Sequence, residues 1–82
     1  MIDRMIKNDT LIIFDKMIEP KPGDAVACRI HGGLTVKELF IDKQTGKKYL
    51  KACNENYEPI EVDEETGVEV LGKVTYSITK QY

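Results

Sequence analysis

The 82-residue sequence predicts a mainly β domain, a curled and mostly antiparallel sheet. Three observations predict it. Apolar residues recur with a period of two, not at the helical spacing of about 3.6. The runs that carry this alternation are short and are separated by glycine, proline and asparagine-aspartate signals. The last run, VEVLGKVTYSITK, alternates over its whole length and holds a glycine near its middle, the mark of a strand that bends around a core.

Taken in order, MIDRMIKNDT has mixed periodicity, with room for one opening helical turn, and ends on Asn8-Asp9, a turn signal. LIIF then begins a buried strand over 11–15. EPKPGD at 19–24 holds two prolines and a glycine, which forbid ladder pairing and make a tight surface connection. In DAVACRI, Val26, Cys28 and Ile30 share one face and Ala25, Ala27 and Arg29 the other. HGG comes next, and Gly32 and Gly33 supply the positive backbone angles of a hairpin that pairs 24–30 with 34–41.

DKQTG turns LTVKELFI back into KKYLKA as a second hairpin. CNENYEPIEV reads as an irregular loop pinned by Tyr57, and DEET as a solvated turn. In the final strand Val68, Val70, Val74, Tyr76 and Ile78 form one face, interrupted at Gly72, while Glu69, Leu71, Lys73, Thr75, Ser77 and Thr79 form the other. The expected total is six short strands in one domain spanning 1–82, with no repeat, linker or low-complexity tract.

Composition narrows function by exclusion. Twelve Lys and Arg against 14 Asp and Glu give a net charge of −2, which provides no basic face for nucleic acid. No apolar run is of membrane length. Two cysteines, Cys28 and Cys53, make no secreted disulfide framework, so a reducing cytoplasmic setting is expected. Together with His31 they give three donors without a paired C-x-x-C, too little to specify zinc. No metal and no cofactor are expected. A chain of this size buries only about 60% of its unfolded surface, so a homodimer is a natural supplement to its thin core.

One residue breaks the pattern. Lys37 lies in LTVKELF on the face of Leu39 and Ile41, where an ammonium is costly. Two readings stay open. In one, the side chain snorkels, laying its methylenes on Leu39 and Ile41 while the amine reaches water. In the other it is buried for a purpose, since a desolvated lysine favours its neutral form and accepts a proton from a hydroxyl, as in a serine-lysine dyad. Thr35, two residues away on the same face, lies about 6.5–7 Å along the strand and is a neighbour of the amine. Ser77, the only serine, reads as a surface or ladder hydroxyl.

PGDAVACRIHGGLTVKELF, then YLKACNENYEPIEV, then VLGKVTYSI resemble the carboxyl-terminal domain shared by the LexA repressor, UmuD and many phage repressors, which cleave their own chains with a serine-lysine dyad. The strongest elements are Thr35-Val36-Lys37, Asn54-x-Asn56-Tyr57-x-Pro59-Ile60 and Gly72-Lys73-Val74. The resemblance implies a curled β domain that dimerises, with Lys37 as general base. The family's nucleophile is the serine of a Ser-Met pair. MIDRMIKNDTLIIF matches the family's segment downstream of that serine, with Met1 at the family's methionine, and the Gly-Asp of the pattern has become Asp9-Thr10.

By this resemblance the serine would be the residue before Met1, so the domain is expected to be truncated at its N-terminal edge and, by itself, inactive. The segment that the family cleaves and its helix-turn-helix also lie upstream. Three functional expectations result. The chain is the dimerisation and latent self-cleavage domain of a LexA-like or UmuD-like SOS-response or prophage repressor. Alternatively it is a degenerate dimerisation or partner-binding module, such as a translesion-polymerase accessory subunit, or else an unrelated small β interaction domain. A peptide strand from the parent chain, added beside 34–41, is a further expected partner.

Overall fold

The computed structural model describes residues 2–7, 9–52 and 58–79, and it is one seven-stranded antiparallel sheet with no α-helix among them. The strands are β1 (Ile2–Lys7), β2 (Thr10–Asp15), β3 (Ala25–Ile30), β4 (Gly33–Ile41), β5 (Lys48–Lys51), β6 (Ile60–Glu61) and β7 (Val68–Thr79), in the order β1-β2-β7-β3-β4-β5-β6. A single 3-10 turn, Glu64–Thr66, precedes β7. The Cα envelope measures 44 × 31 × 23 Å. Its thinnest dimension is more than twice the ~10 Å of one flat sheet layer, so the sheet curls.

Seven strands replace the expected six; Ile60–Glu61, inside the segment read as an irregular loop, is β6, and the opening segment of mixed periodicity is β1. The period-2 pattern of β1 is weak because it is an edge strand: Met5 is buried, while Ile2, Arg4 and Ile6 stay exposed on the other side. Lys7 pairs with Thr10, and Asp9 takes a φ of 61° in the connection between them. The β3–β4 hairpin forms as expected, with its turn one residue earlier. His31 (φ 49°) and Gly32 (φ 85°) make the two-residue connection, and Gly33 is already paired with Ile30. Of the irregular loop, residues 53–57 lie outside the described residues, Cys53 and Tyr57 with them. DEET is the 3-10 turn, held by the Asp63 carboxylate accepting from the Glu65 N–H at 3.0 Å.

The sheet has a core on each side. Val26, Cys28, Leu39, Leu50 and Val68 form one cluster, joined by Ile30, Ile41, Ile60, Val62 and Val70. Met5, Ile12, Phe14 and Ala27 form the other, joined by Val36, Leu71 and Val74. We call these sides the lysine face and the Phe14 face. β7 serves both through two register shifts. Ala27 is opposite Gly72 but Cys28 is opposite Val70, so Leu71 is an extra residue; Phe14 is opposite Val74 but Ile13 is opposite Tyr76, so Thr75 is another.

A one-residue slip sends every later side chain to the other side. Val74 therefore leaves the face of Val68 and Val70 for Phe14, and Lys73 takes the side that alternation assigned to Val74. The second slip returns Tyr76 and Ile78 to the lysine face. The bulge foreseen at Gly72 is present, and a close approach requires it: a Cβ there would lie 2.6 Å from the Asp15 carbonyl oxygen. Among the described residues no helix is long and apolar enough to cross a membrane.

Candidate functional site

Lys37 is half-buried in β4, directly opposite Val26 of β3. Leu39, two residues on, is buried, and Leu39 pairs with Leu50 on the same side. Lys37 therefore shares its side of the sheet with apolar residues, as the alternation required. Lys37 also lines a cleft of about 300 Å³ with Ile30, Gly33, Leu34, Thr35 and Ile60. The side chain thus neither lies fully in solvent nor is sealed in the core.

Thr35 falls where expected, on the same face and in the same cleft. Its carbonyl accepts a hydrogen bond from the buried Cys28 thiol at 3.5 Å. Ser77 is directly opposite Ile12 and so belongs to the Phe14 face, on the other side of the sheet from Lys37. It is exposed and out of reach of the amine. Cys28 is fully buried while His31 is an exposed turn residue, and among the described residues no group of three His, Cys, Asp or Glu side chains is arranged to hold a metal ion.

The register puts Lys37 at the end of a row that begins in β1. Ile2 is opposite Asp15, Asp15 opposite Lys73, Lys73 opposite Val26, and Val26 opposite Lys37. Directly opposed residues share a face, so the start of β1 and Lys37 are on the same side, along one hydrogen-bonding line. On a flat sheet four strand spacings are about 19 Å.

Sequence reasoning did not find the charged pair that Lys73 of this row makes. Asp24, one residue before β3, meets Lys73 at 3.6 Å, Oδ2 to Nζ, with side-chain exposures of 24% and 36%. Asp24 Oδ2 also accepts from the Lys21 N–H at 2.8 Å. That N–H and the Lys73 ammonium hold the Asp24 carboxyl below its ordinary range, against a partial desolvation that raises it. The signal was present for Asp24, which shares the parity of Val26. It was hidden for Lys73, because the slip at Leu71 reverses the parity of β7.

Similarity to known proteins agrees with this geometry. The family model described as Peptidase S24-like matches residues 1–75. The LexA repressor of Carboxydothermus hydrogenoformans (strain ATCC BAA-161 / DSM 6008 / Z-2901) is 36% identical over 74 residues, 90% of this chain and 35% of the repressor. The chain thus spans about a third of the length of that curated relative. A match that runs from β1 into β7 takes in the cleft lysine, the bulge glycine and both cores, and it sets aside an unrelated β domain. The chain is a member of the Peptidase S24-like family, and its fold is that of a LexA-like, repressor-related domain.

Proposed function

We propose that this segment carries the base half of a self-cleaving serine-lysine site in a repressor of the LexA, UmuD or prophage kind, with Lys37 as the base. The observation that carries the reading is the row from Ile2 to Lys37 on one face. Were the alternation of β1 to continue upstream, a residue two positions before Ile2 would share Ile2's face, the face of Lys37. A serine there would have its hydroxyl on the correct side of the sheet, and Lys37 would take the hydroxyl proton as the oxygen attacks a peptide carbonyl.

The scissile segment would enter as an extended strand. The cleft that Lys37 lines with Gly33, Leu34 and Thr35 is where we propose that this segment runs. The 82-residue polypeptide, lacking the serine, is inactive by itself: held at raised pH and sampled on a timed gel, it gives no new fragment, and a new band would refute this. Reading the codons before that of Met1 tests the same proposal. A serine codon followed by that of Met1 supports it; another residue there favours a degenerate binding module.

Dimerisation is the second part of the proposal. Among the described residues, 74–79 of β7 pair with β2 alone, since β3 reaches only to Lys73. Beside that edge the lysine face carries Tyr76 and Ile78, 57% and 48% exposed, and the strip continues through Ile13 and Leu11 to Ile6, which is 76% exposed. An apolar strip next to a half-paired strand is the surface a second copy would cover across a two-fold axis. The setting we propose is cytoplasmic.

A further inference from the structure

Three charged residues surround Val26 on the lysine face, and only one pairing among them is made. The Leu39 N–H donates to the Asp24 carbonyl at 2.9 Å and the Gly23 N–H to the Leu39 carbonyl at 2.8 Å, so Asp24 is opposite Leu39. Lys37 and Lys73 are each opposite Val26, on its two sides. Asp24 is therefore a diagonal neighbour of both lysines, at the ~7–8 Å separation that a long side chain spans. The structure gives Asp24 to Lys73, at 3.6 Å. Among the described residues Lys37 makes no ion pair, and it lines the cleft toward the β3–β4 turn, at the opposite end from Asp24.

We propose that Lys73 is a positioning residue for Lys37: by holding Asp24 it leaves the Lys37 amine in the cleft with Thr35, without a carboxylate partner. This bears on catalysis only through the reading of Lys37 as a base. A carboxylate in contact with an amine favours the ammonium, the form that cannot accept a proton. It also draws the side chain along the strand, away from the cleft. Asp24 cannot simply drift to Lys37, because the Lys21 N–H and the two backbone bonds to Leu39 fix its turn. The contest is decided by which ammonium reaches the carboxylate.

The test is zero-length carbodiimide coupling, which joins a carboxylate and an amine in contact as an amide with loss of water, mapped by mass spectrometry. The wild-type chain gives the Asp24–Lys73 amide. Lys73→Met shifts coupling to Asp24–Lys37 and lowers acetylation of Lys37 at fixed pH by about fivefold, the scale of one partly exposed ion pair. Lys73→Arg gives no Asp24–Lys37 amide and keeps wild-type acetylation of Lys37. Asp24→Asn added to Lys73→Met restores that acetylation, which separates a charge effect from misfolding. A Lys37 amide already dominant in the wild type, or unchanged coupling and acetylation in Lys73→Met, overturns the proposal. These readouts need only Asp24 and the two amines, so they stand or fall apart from the presence of a serine.

Discussion

Gly72→Ala is the most informative single substitution, because it adds one methyl group at the point where β7 crosses from one core to the other. The new Cβ would meet the Asp15 carbonyl oxygen at 2.6 Å, its carbon at 2.9 Å and Phe14 Cδ2 at 3.0 Å. Two of these three atoms are backbone, so no rotamer change relieves the clash; β2 has to move. Overpacking of this kind costs roughly 1–3 kcal/mol. Replacing glycine also stiffens the unfolded chain, which offsets about 0.4–1 kcal/mol.

A net loss of about 1–2 kcal/mol lowers the melting temperature by roughly 5–15 °C in a domain of this size. Circular dichroism melts of the two proteins at equal concentration measure it. A change under about 2 °C would show that β2 and β7 do not approach as described, and the row from Ile2 to Lys37, which passes through Asp15 and Lys73 at that crossing, would lose its basis.

The same geometry makes three more predictions. Leu50→Ala, at a fully buried position of the lysine-face core, destabilises by about 2–5 kcal/mol in denaturant titration, whereas Phe40→Ala, at a position 41% exposed, costs less. The carboxyls of Asp3, Asp15 and Asp24 are each lowered, first by a backbone N–H from Arg4, Met17 and Lys21 respectively. A lowered folded-state value gives stability that is present above the unfolded carboxylate range of about 4 and lost as pH falls through the folded-state value. The melting temperature should therefore fall on acidification, and Asp24→Asn should lower it at neutral pH but not at pH ~2; equal lowering at both would contradict this. Sedimentation at tens of micromolar should return a dimer that Ile78→Glu converts to monomer, and a monomeric wild type would count against the β7 surface.

How much was legible in the sequence depended on whether alternation survived. β3 and β4 alternate without interruption, so their pairing, the face of Lys37 and its neighbour Thr35 could all be placed in advance. β7 looked equally regular, yet two extra residues, Leu71 and Thr75, reverse its parity twice. Gly72 signalled a bend, but no single sequence reveals which neighbour becomes the extra residue. That is why alternation assigns Val74 to the wrong core and leaves the Lys73–Asp24 pair unseen. β1 was obscure for another reason: an edge strand in which Met5 is buried but Ile2 and Ile6 are exposed leaves little hydrophobic period to read.

The central claim is that Lys37 serves a hydroxyl placed just before Met1. The direct measurement is to extend the chain by a serine at that position and expose it to a fluorophosphonate probe, which labels only an activated serine hydroxyl. The predicted result is labelling of the added serine that disappears in Lys37→Ala and is unaffected by Ser77→Ala. No labelling of the extended chain, or labelling that persists without Lys37, would contradict it.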